Sequence, residues 1–246
     1  MALTASPDAQ RALLDVQALD TTLQQLAHRE RSLPERAAVD ALKAEADVMR
    51  EFVIQRRGEL EDARIELGRV ESDVQLVETR IARDGDRMQA SSSVKDIAGL
   101  EHELASLRGR LGDLEEIELS VMEKVESIET ELAAATTSLE AHQQQLAEAE
   151  AARDAALATI AAEVAAARSQ RAAIVATVPD DLLALYEKQR ERYGVGASHL
   201  RARISSASGV ELTGSDLALV RAAAPDAVLL CPDSNAVLVR TDESGL

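Results

Sequence analysis

Two long apolar seams constrain this chain more than any other feature. One runs through Val39, Leu42, Ala46, Met49 and Val53, passes Arg56, and continues through Leu60, Ala63, Leu67, Val70, Val74, Val77 and Ile81. The other runs through Leu104, Leu107, Leu111, Leu114, Glu118, Val121, Val125, Ile128, Leu132, Ala135, Leu139, His142 and Leu146. Steps alternating between three and four keep one stripe of a helix against a partner helix, the pattern of a coiled coil. Between the seams, RDGDRMQASSSVKD combines a glycine with small polar residues and a serine cluster, the composition of a turn followed by a helix cap. The first long helix is expected to end near Arg83 and the tip to lie at about 84–95. Two helices of similar length joined by one short connection fold back as an antiparallel hairpin, an arm on the order of 110–120 Å at about 1.5 Å per residue. The central turn argues against parallel self-association of each helix, and the chain is compatible with a monomer or a homodimer of hairpins.

Flanking segments complete the outline. Ser6 and Asp8 offer N-caps for a first seam through Val16, Leu19, Leu23, Leu26 and Leu33, which Pro34 interrupts by removing a backbone donor. From Ala133 to Ala176 the chain is alanine-rich, which favours helix while shrinking the area available for burial. Pro179 ends the rod. PDDLLALYEKQRERYG reads as a short helix closed by Gly194, TGSDLALVRAAAP as another, and DAVLLCPDSNAVLVR as a β-hairpin around a Pro-Asp-Ser-Asn turn. The expected fold class is mainly α: a long antiparallel coiled-coil hairpin over residues 1–178 and a small C-terminal α+β module over residues 179–246. Val228, Leu229, Leu230, Val237, Leu238 and Val239, with Ile204, Val210 and Leu212, are its candidate core.

Composition narrows the function. The formal net charge is −17, and there is no Trp, with two Tyr and one Phe. Residues from Pro179 onward hold 7 Lys+Arg and 10 Asp+Glu, so the first 178 carry the larger part of the acid. An acidic rod repels phosphate backbones and anionic lipid, which makes a protein the default partner and disfavours nucleic acid. No run of roughly 18 apolar residues exists to span a bilayer and the N-terminal residues lack the order of a signal peptide, so no membrane association and a cytoplasmic location are expected. A single cysteine, Cys231, admits no intramolecular disulfide. With four histidines in the chain and no activating partner or phosphate-cradling glycine loop near Cys231, no catalytic residue is assigned and no enzyme is expected. His28 and His142 fall on the rods as structural residues.

Two stretches resemble a known bacterial family that joins a long coiled-coil hairpin to a C-terminal zinc ribbon with four cysteine ligands. At the expected tip, SSSVKDIAGLEHELASL is similar to the family's Lys-Glu-Leu…Leu-Gln-His-Glu pattern, with Lys95, Asp96, Ile97, Leu100, His102 and Glu103 in the matching places. At the C-terminus, YEKQRERYGVGASHLRARISSASGVEL followed by LVRAAAPDAVLLCPDSNAVLVR is similar to the approach helix and ribbon of actinobacterial members. The resemblance assigns the four ligand positions to Ser205, Ser208, Cys231 and Ser234, so three thiolates are replaced by hydroxyls. Serine hydroxyls are poor ligands near neutral pH, and a zinc-ribbon-like module that has lost its metal, with no cofactor, is expected; His199 or Asp233 joining Cys231 is the disfavoured alternative. Members of the family include a chlamydial secretion-associated protein and a flagellar-biogenesis protein of epsilonproteobacteria, and they are associated with partners in secretion, flagellar assembly or transcription. The arm geometry, the lack of a catalytic constellation and what the resemblance implies together point to a non-enzymatic adaptor or scaffold presenting Lys95, His102 and Glu103 at the tip to other proteins, with Arg201 and Arg203 of the small basic patch LRARIS as the candidates in the terminal module. The alternative is an RNA- or DNA-binding accessory protein using the ribbon-like module.

Overall fold

A computed structural model describes residues 3–246. The elements are α1 Pro7–Arg31, α2 Pro34–Ala90, α3 Val94–Val175, α4 Asp180–Tyr193, β1 Ala197–Arg201, β2 Ile204–Ser205, α5 Gly214–Ala222, β3 Leu229–Leu230 and β4 Val237–Val239, followed by a single 3-10 turn at Asp242–Ser244. They form two compact units, one of Glu35–Ala151 and one of Met1–Pro34 with Ala152–Leu246. The chain thus divides differently from the expected 1–178 and 179–246, because α1 and the last turns of α3 pack with the C-terminal elements.

The first unit, the arm, is the antiparallel pair of α2 and α3. Its buried residues are the ones the seams mark: Val39, Ala46, Val53, Leu60, Ala63 and Val77 on α2, and Leu100, Leu104, Val121 and Ile128 on α3. The polar members of the seams are accommodated individually. His142 turns its Nε2 to the Leu42 carbonyl at 3.0 Å. Arg56 lays its guanidinium over Phe52, 5.0 Å from the ring centroid, and reaches Glu59 and Glu131 at 2.7 and 3.4 Å. Register is reinforced by interhelical ion pairs, Lys43 with Glu150, Arg64 with Glu129 and Lys124 with Glu66.

The tip departs from the sequence expectation. α2 does not stop near Arg83 but continues to Ala90, and the break is confined to Ser91–Ser93. Asp84 holds the next seam position, seven after Val77, and is 1% exposed. Arg80, Arg83 and Arg87 of its own helix surround it, and the helix continues past it instead of unwinding. Ser93 then opens α3, its hydroxyl accepting from the Asp96 amide at 3.4 Å.

In the second unit, Ser6 caps α1 by accepting from the Ala9 amide at 3.2 Å, with Pro7 in the first helical position. Pro34 separates α1 from α2 as expected, and Ser32 returns its hydroxyl to the His28 carbonyl. Leu26 and Leu33 close on Ile160 of α3. The sheet has the order β2-β1-β4-β3; β3 and β4 form the antiparallel hairpin expected around the Pro-Asp-Ser-Asn turn, while β1 pairs with β4 in parallel. Strand alternation sends the two faces of β4 into different cores. Val237 and Val239 meet Leu13, Val16, Leu182 and Tyr186 from α1 and α4. Leu238 meets Leu200, Leu212, Val220 and Cys231. Three residues assigned to this core by sequence lie outside it: Ile204, Val210 and Leu230 are exposed. Arg240 ties the module together by donating to five backbone carbonyls, those of Val220, Ala223, Ala224, Pro225 and Ala227. That cluster of acceptors is the C-terminal end of α5 and the loop after it, where carbonyls lack helical partners.

Candidate functional site

The tip residues separate into two roles. Lys95 stands exposed on the first turn of α3, and His102 is exposed about two turns further on. Neither has a polar partner among the described residues. Glu103, rotated about 100° from His102 by helix geometry, faces α2 and pairs with Arg80, so it belongs to the arm's own register. Val94, beside Lys95, is 82% exposed.

In the terminal module, three of the four positions matched to metal ligands come together. Cys231 and Ser205 are both fully buried, and the Cys231 thiol donates to Ser205 Oγ at 3.2 Å. Ser234 is also hydrogen-bonded to Cys231. Ser208 is not part of this group; its hydroxyl accepts from the Val210 amide at 3.3 Å in its own loop. Sequence reading missed Ser198, whose hydroxyl pairs with Ser205 Oγ at 2.7 Å and accepts from the Ala207 amide at 3.1 Å. The signal was available: β1 alternates, and Ser198 falls on the face of buried Leu200 two residues on. Burial works to raise the Cys231 thiol, but hydrogen bonding with Ser205 and Ser234 more than offsets it, leaving its pKa below the free value.

This set does not fit a tetrahedral zinc ion. It offers one thiol, and its hydroxyls are committed to one another and to backbone amides, so no orphaned donor points at a common centre. Among the described residues no three His, Cys, Asp or Glu side chains converge. His199 sits on the opposite face of β1, with Nε2 2.8 Å from Thr241 Oγ1, and Asp233 is exposed. His199 is therefore placed neither as a ligand beside Cys231 nor as a base for it.

Arg201 ends β1, and Arg203 is the second residue of the two-residue turn, Ala202–Arg203, that leads into β2. Ala202 and Arg203 hold φ of +47° and +69°, a left-handed conformation that costs on the order of 1 kcal/mol per non-glycine residue. The C-terminal turn imposes it: the Ala202 amide donates to the Glu243 carbonyl at 2.8 Å and the Arg203 amide to that of Ser244 at 3.0 Å. Arg201 Nε also lies 3.1 Å from Glu243. The arginines are thus displayed on a rigid, exposed corner.

The densest polar cluster was not anticipated at all. Asp20 of α1, 4% exposed, accepts two bonds from Arg171 of α3, at 2.7 and 3.1 Å, and one from the Tyr186 hydroxyl of α4 at 2.7 Å. Arg171 continues to Glu187, which also receives Arg190. Gln17 Oε1 accepts from the Gly196 amide at 2.7 Å, carrying the network to the start of β1. Gly196 is obligatory there, since a Cβ would stand 2.5 Å from the Tyr186 ring. Burial works to raise Asp20 and Glu187, but hydrogen bonds from Arg171 outweigh it together with Tyr186 and Arg190 respectively, and both carboxyls sit below their usual range. Burial and the bond to Asp20 push the Tyr186 phenol upward. The cluster is a fully partnered clamp, with no open coordination or substrate face. Its sequence signal was weak, because Asp20 lies one residue off the assigned seam and Arg171 within an alanine-rich run.

Comparison with known proteins matches these two units over nearly the whole chain. A family model described as the CT398-like coiled coil hairpin domain covers residues 16–194. An uncharacterized protein of Mycobacterium tuberculosis is 36% identical over 234 residues, 95% of this chain and 96% of the relative. An uncharacterized protein of Mycobacterium leprae is 26% identical over 222 residues, 89% of this chain and 95% of the relative. A solved structure from Mycobacterium smegmatis aligns with a TM-score of 0.84 at 33% identity, covering 97% of this chain and 100% of that one. The structure of CT398 from Chlamydia trachomatis aligns with a TM-score of 0.64 at 20% identity, covering 94% of this chain and 97% of that one, a likeness of fold. The matched span takes in α2, α3, the tip between them and α4, and the chain belongs to the CT398-like coiled coil hairpin family.

Proposed function

We propose that the protein is a non-enzymatic adaptor that presents the tip of its helical arm, and secondarily its terminal module, to partner proteins. The observation that carries this reading is the tip: Val94, Lys95 and His102 project from the end of the hairpin, exposed and without a polar partner among the described residues. An exposed apolar residue beside the Lys95 ammonium and an imidazole hydrogen-bonding group suits an acidic or amphipathic protein surface. The absence of an assigned reaction is part of the proposal and rests on chemistry: Cys231 is enclosed among serines, and His199 is engaged with Thr241 on the other face of the strand. The module is inferred to derive from a ribbon that now folds without zinc, its two small cores and the Arg240 clamp taking over the metal's structural role. No helix among the described residues is long and apolar enough to cross a membrane.

Two measurements test this. Affinity purification from the native cell, run with the wild type and with Lys95→Glu/His102→Glu, is expected to recover a stoichiometric partner only with the wild type. No such partner, or one indifferent to both tip substitutions and changes in the terminal module, overturns the adaptor reading. Metal analysis should find no bound zinc and a melting temperature unaffected by chelator; stoichiometric zinc defeats the metal-free reading.

One observation favours nucleic acid as the second reading: the left-handed turn fixes Arg201 and Arg203 on an exposed corner. An RNA mobility shift that weakens with salt and disappears in Arg201→Ala/Arg203→Ala is its expected signature. Failure to bind at low salt ends it.

A further inference from the structure

Two clefts of opposite charge lie side by side on one flank of the arm. Glu66, Asp73 and Arg80 on α2 are spaced by sevens, as are Arg110 and Ile117 on α3, so each set runs along one line of its helix. Nearer the tip, the cleft between these lines is lined by Arg80, Arg83 and Arg110, with Asp73 at its lower end, around Leu76; Arg80 and Arg83 also lie beside Asp84 of their own helix, so Arg110 is the cation of this cleft left free among the described residues. Immediately below it, the cleft is lined by Glu66, Asp113 and Glu116 around Ile117. Leu76 is 68% exposed and Ile117 48%. Arg110, Asp113 and Glu116 have no ion-pair partner among the described residues, whereas Arg80 and Glu66 pair across the hairpin with Glu103 and Lys124. Asp73 stands at the border between the clefts.

We propose that this flank is an isologous interface with a second copy of the chain, the two arms crossing antiparallel over a two-fold axis near Asp73. A two-fold axis between a basic and an acidic cleft places each on its opposite in the other copy. Arg110 then faces Asp113 and Glu116 of the second copy, and the contact covers the exposed apolar residues Leu76 and Ile117. Like charge would oppose a parallel arrangement, in which each cleft lies against its equal. The acidic character of the chain makes the same point: with a net charge of −17, arms associate only where an arginine cluster offsets the repulsion. The clefts run from Glu66 to Arg83, about 26 Å of helix, over two helices each about 10 Å wide. That is about 500 Å² per copy, near the lower limit of about 1,000 Å² in total for a specific interface, and it implies a reversible, salt-sensitive dimer. The contact leaves Lys95 and His102 outside it, so self-association and tip binding are separable.

Sedimentation equilibrium of the full-length protein over about 1–100 µM tests the proposal. A monomer–dimer equilibrium weakened by salt is expected. Arg110→Glu and Glu116→Arg should each raise the dissociation constant about tenfold or more, and the combined Arg110→Glu/Glu116→Arg chain should restore association, because it exchanges the two charges without changing their complementarity. These positions are exposed on the helix surface, and unchanged circular dichroism checks that the fold persists. Asp73→Cys, near the axis, should cross-link to its own copy under oxidation, while Asp40→Cys, about 50 Å away along α2, should not. A protein monomeric throughout the range, a dimer indifferent to both charge reversals, or cross-linking at Asp40 in place of Asp73 overturns the interface.

Discussion

The arm and the terminal unit use different means to hold helices together. In the arm, one narrow seam carries the burial, many seam residues remain half-exposed, and charge is arranged on the surface as separate ion pairs. In the terminal unit, α1, α3, α4 and β1 converge on a single buried network around Asp20, between two apolar clusters. An arm of this kind loses stability locally and in small steps. The terminal unit concentrates it, so single changes there are expected to be costly.

The sharpest test removes the centre of the network. Asp20→Ala leaves Arg171, Tyr186 and Arg190 without their shared acceptor, and breaking one side of a buried ion pair costs about 3–5 kcal/mol. Denaturant unfolding followed by tyrosine fluorescence reports this directly, since Tyr186 is one of only two tyrosines and the chain lacks tryptophan. A loss below about 1 kcal/mol would mean that the terminal unit is as distributed as the arm. Acid probes the same group. Because the Asp20 and Glu187 pKa values are depressed in the fold, their contribution is fully present above the ordinary values of 3.8 and 4.5 and is lost as pH falls through the lower folded values. Melting of the terminal unit should therefore drop on acidification below about pH 4, and Asp20→Asn should flatten that dependence.

Equal truncations in the two regions compare them next. Leu182→Ala removes a fully buried side chain from the larger terminal cluster, with an expected cost of about 3–5 kcal/mol. Leu60→Ala removes a side chain 7% exposed from the arm seam, where the two helices can close on the space, and about 2 kcal/mol is expected. Chemical denaturation of both variants measures the difference. Equal losses would erase the distinction.

At the tip the sign should reverse. Asp84 is a buried carboxylate in an apolar seam, and its Oδ2 accepts no hydrogen bond although the Arg80 guanidinium lies 3.8 Å away. Replacing such a charge by an apolar residue of similar size is neutral or stabilising, so Asp84→Leu should slow amide exchange over the last turns of α2, by about 1 kcal/mol of local stability. Faster exchange there would show that the three arginines around Asp84 hold the tip together.

How much of this was legible follows from how local each cause is. The seams, the Pro34 break, a helix cap in the serine cluster and the Gly194 stop are read from neighbours within a turn or two, and the structure keeps all of them. The end of α2 was misplaced because RDGDR has turn composition, whereas Asp84 keeps the heptad register seven residues after Val77 and the helix runs on through it; the deciding fact is the register of the seam. The parallel β1–β4 pairing, and the Asp20 network that joins α1 to Arg171 and Tyr186, depend on residues far apart in sequence. No periodicity reports them. Of the matched ligand positions, Ser205, Cys231 and Ser234 were assigned by the family resemblance, while Ser198, the residue that completes their hydrogen bonding, lay on a strand that sequence reading had not assigned.

The smallest expected effect decides whether the arm's charges hold it together or only set its register. Lys124 and Glu66 lie 3.0 Å apart with side chains 56% and 52% exposed, so water competes for both ions and ordering two long side chains opposes the pair. Lys124→Ala should cost about 0.2–1 kcal/mol by denaturation, and the loss should vanish at high salt. The exchanged pair Lys124→Glu/Glu66→Lys should recover it, because only complementarity across the two helices matters. A larger loss that salt does not remove would place this pair with the Asp20 network as a stabilising contact, and would bring the arm closer in character to the terminal unit.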